Sequence, residues 1–317
     1  MITIGCPNIM NAVSFLEKDF NVCYPHLAYQ GKKFKTNFDV LLQFDYEING
    51  VNSKQLIEHG YPVIGTSRYS KFKQMTILDA LDINHPEIYK SILNGTNDDR
   101  NDIMQVLLNE YDDHDKLVLK AENGARGLGQ IIVNRNTFYD IIDMVQHDTG
   151  SVEDMADKIV ADYQTGSDIF RHVDEKNYIV NILKEEDYHI EKYIPRRAEY
   201  RLIAFYGSDP IIIERKCPKG EKWQANASVT GEGKRMSETD MQPDDWKAMK
   251  ELGQKMCSYL RSPWLSIDVY FDSDNKMGVF EFQMQFGYKK VPKKELVNKI
   301  NEATHNILKQ LYPNLKK

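Results

Sequence analysis

Two groups of residues have types and spacing suited to phosphate and metal chemistry. The first lies in Lys116–Asn134. Leu117, Val118 and Leu119 lead into Lys120; Gly124, Gly127 and Gly129 follow, with Arg126 among them; Ile131, Ile132 and Val133 then resume the apolar pattern. Short apolar runs on both sides of a glycine-rich loop read as the strands of a hairpin. Glycine admits positive φ and close backbone approach, and successive N–H groups in such a loop form an anion-binding concavity. Lys120 and Arg126 add positive charge. The pattern differs from the phosphate loops that open a helix. No Lys-Ser or Lys-Thr follows the last glycine, and the next element is a strand. The loop reads as a hairpin lid over phosphates, with a mobile, ligand-free loop as the alternative.

The second group lies on Leu265–Phe271 and Gly278–Phe286, separated by the turn-forming Asp272–Met277. A turn centred on Asp274-Asn275 sets Asp268 opposite Glu281. Side chains alternate along a strand, so Glu281, Gln283 and Gln285 share one face, and Phe280, Phe282, Met284 and Phe286 are expected in the core. Opposed carboxylates stand ~4.5–5.5 Å apart at Cβ and repel. A divalent cation removes that repulsion, and magnesium favours one or two carboxylates plus substrate phosphates. A solvated polar face is the alternative, and a one-residue change of register would turn Asp268 away. A calcium loop from Asp272 fits poorly, because its twelfth position is Gln283.

Composition bounds the rest. The chain has 317 residues, 28% charged and 41% hydrophobic, with a net charge of -6. That is the profile of an ordinary globular protein with room for two or three domains, and it argues against non-specific nucleic-acid binding. Cys6, Cys23, Cys217 and Cys257 are far apart, so neither a zinc site nor a disulfide framework is indicated. Thiols in a reducing cytosol, no signal peptide and no membrane-spanning run are the corresponding expectations.

The elements that must position these residues follow from periodicity. Residues 1–66 alternate between strands (Met1–Gly5, Val22–Tyr24, Val40–Phe44, Pro62–Ile64) and helices (Asn8–Phe20, Val51–His59), which suggests a small open α/β sheet. A helix is expected over 68–81, a polar loop over Asn94–Asp102, and mainly helix over 137–190 with a break around His147–Ser151. Strands are expected at Tyr188–Tyr193, Tyr200–Tyr206 and Ile211–Lys216. A helix over Asp244–Arg261 precedes the carboxylate hairpin, and a final helix carries Val297, Ile300, Thr304, Ile307 and Leu311 on one face. The basic clusters Lys32, Lys33, Lys35 and Arg68, Lys71, Lys73 read as solvated surface, with an acidic or nucleic-acid partner as the alternative.

In chain order come the lysine–glycine hairpin, Glu191-Lys-Tyr-Ile194, Glu199-Tyr-Arg201, Glu214-Arg215-Lys216, Trp223-Gln-Ala-Asn226, Asp268 and Glu281-Phe-Gln283. This series, over roughly 68–290, resembles the ATP-grasp superfamily, which includes D-alanine–D-alanine ligase, glutathione synthetase and the ribosomal-protein glutamate ligases. The resemblance implies an α/β (α+β) fold in three parts. These are an N-terminal open α/β domain (1–67), a helix and lid subdomain with a helical insertion (68–190), and an antiparallel-sheet subdomain with the magnesium site (191–317).

It also implies roles. Lys120 would contact the α- and β-phosphates, and the loop with Gly124, Arg126, Gly127 and Gly129 would cover them. Glu191, Tyr193 and Ile194 would line the adenine hinge, and Glu199 would hold the ribose. Asp268, Glu281 and Gln283 would hold magnesium, or manganese in its place. Arg201 and Arg215 would be catalytic, and Asn226 would meet substrate. Glu281-Phe-Gln283 departs from the family's Glu-x-Asn, and the adenine-contacting lysine expected within 158–184 is unassigned among Lys158, Lys176 and Lys184. The implied reaction is ATP-dependent joining of a carboxylate, small or macromolecular, to an amine in the cytoplasm, with neither membrane nor nucleic acid indicated and oligomerisation left open. A kinase of the same fold and a non-catalytic nucleotide-binding protein are the alternatives.

Overall fold

The computed structural model describes residues 1–6, 16, 19–30, 33–43, 53–66, 69–89, 96–112, 115–121, 130–163, 175–184, 188–216, 232–284 and 291–315. The chain opens with β1 (Thr3–Gly5) and β2 (Asn21–Cys23), then a hairpin of β3 (Leu27–Gln30) and β4 (Lys33–Thr36). β5 (Val40–Gln43), α1 (Ser53–Glu58) and β6 (Val63–Gly65) follow. A parallel sheet forms in the order β2-β1-β5-β6. Its strands are short apolar runs, and Ile4, Val40, Leu42 and Ile64 are fully buried, as parallel strands covered on both faces require. The β3–β4 hairpin has no counterpart in the expected elements. Most of the expected helix Asn8–Phe20 lies outside the described residues.

The middle of the chain contains α2 (Lys71–Ala80), β7 (Ile88–Tyr89), α3 (Asn97–Glu110), β8 (Lys116–Ala121), β9 (Gln130–Asn134), α4 (Arg135–His147), α5 (Val152–Tyr163), α6 (Glu175–Lys184) and β10 (Tyr188–Lys192). An antiparallel sheet runs β7-β10-β8-β9. Leu117, Leu119, Val133 and Ile190 face a core built with Ile103, Leu107, Phe138, Ile142, Ile159 and Ile179 of the helices. Alternation therefore turns Lys120 and Glu191 to the opposite face. The loop expected over Asn94–Asp102 is instead helical from Asn97. Thr96 accepts the Asp99 N–H while Asp99 accepts the Thr96 N–H, a reciprocal cap that satisfies the first turn.

The last third supplies β11 (Arg196–Phe205), β12 (Ser208–Lys216), β13 (Glu232–Met236), α7 (Pro243–Tyr259), β14 (Trp264–Asp272), β15 (Met277–Gln283) and α8 (Lys293–Leu311). They form an antiparallel sheet in the order β13-β12-β11-β14-β15, backed by α7 and α8. Gly253 lets α7 lie close, since a Cβ there would meet the Ala204 Cβ at 2.8 Å. One core joins this sheet, both helices, α2 and the parallel sheet.

Two contacts tie the first sheet to the last elements. The Tyr312 hydroxyl, just past α8, accepts the Val63 N–H at 3.0 Å and an Arg261 Nη2–H at 2.6 Å, and donates to the Val63 carbonyl at 3.0 Å. Beyond β15, the Met284 carbonyl accepts the Trp264 Nε1–H at 3.0 Å, and its sulfur accepts the Thr66 N–H at 3.2 Å. Gly65 makes that junction possible. Its φ is +88, and a Cβ would meet the Gln43 carbonyl at 3.0 Å and the Met284 sulfur at 3.1 Å. Gly65→Ala should therefore destabilise the fold by roughly 1–3 kcal/mol, read as a lower urea midpoint; an unchanged midpoint would show that the junction relaxes freely.

Candidate active site

The polar faces of the two antiparallel sheets meet. On β8 and β10 the register pairs Lys120 with His189 and Val118 with Glu191, so Lys120 and Glu191 are diagonal neighbours on one face. Their side chains form an ion pair with the Glu191 side chain only 2% exposed. The Lys120 ammonium also lies 5.5 Å from the centroid of the Phe280 ring on β15, which joins this sheet to the next.

On the larger sheet Arg201 lies opposite both Asp268 and Ile213, and Glu199 lies opposite both Arg215 and Tyr270. The Arg201 guanidinium grips Asp268 with two bonds, Nε to Oδ1 at 3.0 Å and Nη2 to Oδ2 at 3.1 Å. Arg215 Nη1 bridges Glu199 Oε1 at 2.9 Å and Asp268 Oδ2 at 3.0 Å. Arg196 Nε closes the other side of Glu199 at 2.8 Å. Fork-like guanidinium–carboxylate contacts are among the stronger charge-assisted bonds. Burial opposes ionisation of Asp268, but Arg201 and Arg215 outweigh it and hold the carboxyl down at about 2. Burial likewise works against the Arg215 charge, and Asp268 and Glu199 more than offset it, so its pKa is raised.

Asp268 does lie opposite Glu281. The route to that register differs from the expectation of a turn centred on Asp274-Asn275. Near the turn the pairs are Phe271 with Met277, Tyr270 with Gly278 and Val269 with Val279, one residue short of that centring. A β-bulge at Phe280 restores the register, so that Asp268 pairs with Glu281 and Ser266 with Gln283. The bulge corrects a second expectation. Phe280 is not in the core with Phe282 and Met284; it is half-buried and shares the polar face with Glu281, while Val279 and Phe282 on either side are core residues. Its ring packs at 4.5 Å against Tyr270, and the Arg196 guanidinium lies 5.5 Å from its centroid.

Glu281 pairs with Lys71, the first residue of α2, whose side chain is 12% exposed. Lys71 departs from the solvated surface expected of its basic cluster. Lys35 and Lys73 are exposed and fit that expectation, whereas Lys71 belongs to the site; Lys32, the Lys33 side chain and Arg68 lie outside what the structure describes. Burial lowers its pKa, yet Glu281, with help from Glu191 and Asp268, raises it overall, so it stays charged. Lys71 and Arg196 are the two site cations the sequence pattern did not single out. Tyr193 and Ile194 follow β10 and are half-buried, with the Tyr193 N–H donated to the Lys116 carbonyl at 3.2 Å. Gly124, Arg126, Gly127, Gly129 and Asn226 lie outside the described residues. Lys158, Lys176 and Lys184 pair at 2.7, 2.7 and 3.0 Å with Asp140, Asp157 and Glu153 on the helical layer. None of the three is tied to the site carboxylates by these contacts.

Among the described residues no group of three or more His, Cys, Asp or Glu could hold a metal ion. The donor set that exists is two opposed carboxylates, with Gln283 next on the same strand. It suits an ion that takes much of its shell from phosphates and water, and not a closed protein cage. Among the described residues no helix is long and apolar enough to cross a membrane.

The depressed Asp268 pKa has a signed consequence. A carboxyl whose folded pKa lies below its unfolded ~3.9 contributes stability that is fully present above that value and lost as pH falls towards the folded value. In chelator and without nucleotide, wild type should be more stable than Asp268→Asn by a margin that is constant from about pH 7 to about pH 5 and shrinks only below that. A margin that already declines above about pH 5 would contradict the pairing.

The sequence matches no family model and no curated protein. Solved structures do match. D-alanyl-alanine synthetase A from Vibrio cholerae superposes with a TM-score of 0.53 at 13% identity, covering 99% of this chain and 98% of that one. A RiPP-associated ATP-grasp ligase from Chryseobacterium gregarium, in complex with ADP and a leader and core peptide, gives 0.51 at 11% identity, covering 100% and 98%. The macrocyclase MdnC from Microcystis aeruginosa, bound with its precursor peptide MdnA, gives 0.51 at 9%, covering 96% and 98%. The parallel sheet near the N-terminus and the two larger antiparallel sheets occur together in these structures, and by that architecture this chain has the ATP-grasp fold.

Proposed function

We propose that the protein is an ATP-dependent carboxylate–amine ligase. The observation that carries this reading is the position of Asp268 opposite Glu281, ringed by Arg201, Arg215 and Lys71, with Lys120 of the neighbouring sheet over the ring of Phe280 beside Glu281. Cations set around a transferring phosphoryl group stabilise the charge that develops there. Asp268, Glu281 and Gln283 would hold magnesium, which when bound neutralises phosphate charge and polarises the phosphoryl oxygens.

The residues of the chain do the remainder. Lys120 and Lys71 would bind phosphate oxygens, and Glu191 with the backbone of Tyr193 and Ile194 would orient the base. Glu199, held by Arg196 and Arg215, would take the ribose hydroxyls. A substrate carboxylate oxygen would attack the γ-phosphorus and release ADP. The acyl-phosphate would then be attacked at its carbonyl carbon by an amine, with phosphate leaving and the amine proton passing to solvent. Arg215 and Arg201 would steady the negative charge at both stages. No protein nucleophile is needed, and rate enhancement would come from positioning and preorganised charge.

The fold neighbours' names point to an amino-acid substrate in one case and to peptides in two others, so the screen should include free amino acids and peptides as both acid and amine. ADP and phosphate release should require an acid and an amine together. Asp268→Asn combined with Glu281→Gln should lower kcat by about 10²-fold or more while the fold is retained. A stable phosphorylated product without any amine would replace the ligase reading with a kinase. Undiminished turnover in the double variant would remove the metal assignment.

A further inference from the structure

β15 is an outer strand of its sheet, so part of its backbone faces away from β14. In an unbroken strand the N–H groups on one side recur every second residue. Here the two N–H groups received by the flanking chain are three residues apart. Val279 N–H donates to the Asn84 carbonyl at 2.8 Å, and Phe282 N–H donates to Gln74 Oε1 at 2.9 Å. That spacing fits only a strand with one extra residue between them, and the extra residue is Phe280. Asn84 and Gln74 therefore bracket the bulge.

Gln74 is 5% exposed, and its other amide group is also committed: Nε2 donates to the Tyr69 carbonyl at 3.0 Å. It stands one helical turn after Lys71, on the same side of α2. A single carboxamide thus joins the approach to α2, the helix that presents Lys71, and the backbone immediately after Glu281.

We propose that Gln74 is a positioning residue for the site: it fixes the bulge in β15 and thereby holds Glu281 opposite Asp268 and against Lys71. The inference rests on reading Asp268 and Glu281 as the metal-holding pair. Loss of the bulge shifts the strand end by one residue, and a one-residue slip carries Glu281 to the core face. Gln74→Met keeps the length and removes both hydrogen bonds, whereas Gln74→Glu keeps the acceptor for the Phe282 N–H.

The test titrates Mn2+ by its paramagnetic resonance in the presence of a non-hydrolysable ATP analogue, and measures amide exchange of Phe282 and the melting temperature of the same samples. Gln74→Met should weaken Mn2+ binding about tenfold, in the range expected when a group that orients a metal ligand is lost. It should speed Phe282 exchange and leave metal-free analogue affinity unchanged. Gln74→Glu should recover most of the Mn2+ affinity. Wild-type Mn2+ binding in Gln74→Met overturns the proposal, as does a parallel loss of metal-free analogue binding, which marks a merely structural role. Glu281→Gln is the control on the underlying reading. If that variant binds Mn2+ normally the metal assignment fails, and Phe282 exchange in Gln74→Met then decides the positioning role alone, with unchanged exchange counting against it.

Discussion

Charge balance among partly buried side chains is the constraint on which the rest of the site depends. Glu191, Glu199, Asp268 and Glu281 are interleaved there with Lys71, Lys120, Arg196, Arg201 and Arg215. Taking an ion out of water costs several kcal/mol, and removing one partner strands the other. Each group is therefore held in place by its neighbours, and Arg215, which bridges two carboxylates, couples groups from three strands. The arrangement also explains how so dense a cluster of charges keeps its shape on its own. In the proposed reaction the guanidinium and ammonium groups would meet phosphate oxygens, and the carboxylates that neutralise them would engage the cation. Substitutions within such a network are not expected to add independently.

Much of this was legible locally. The order of short motifs was enough to pick out Lys120, Glu191, Glu199, Arg201 and Arg215, which the structure joins in ion pairs, and strand alternation set Asp268 opposite Glu281. The pair came out correctly although the assumed turn was off by one residue, because the bulge at Phe280 compensates. Nothing in Gly278-Val-Phe-Glu-Phe announces a bulge except Gly278 itself, over which the Tyr270 ring lies so closely that a Cβ would sit 2.3 Å from it. A two-residue period cannot show where it is interrupted.

What was not legible depends on tertiary contact. Lys71 and Glu281 are 210 positions apart, and the lysine sits in a basic run whose local pattern resembles any solvated helix start. The α3 start was readable in principle, since Thr96 and Asp99 have the spacing of a reciprocal cap; its polar first turn looked like loop by composition. β13 and the β3–β4 hairpin are short strands with little apolar alternation, and pairing partners, not propensity, define them.

The Tyr312 hydroxyl has a consequence for how the molecule avoids its own kind. β6 is an edge strand of the parallel sheet, and an uncovered edge strand is a template for another chain. Val63 would offer such a chain both its N–H and its carbonyl. Tyr312 takes both, and the Arg261 guanidinium occupies the remaining lone pair of the hydroxyl. One phenol thus stands in for the strand that is missing. The edge is guarded by a residue 249 positions further along the chain, so during synthesis it stays open to pairing with neighbouring molecules until that residue has emerged.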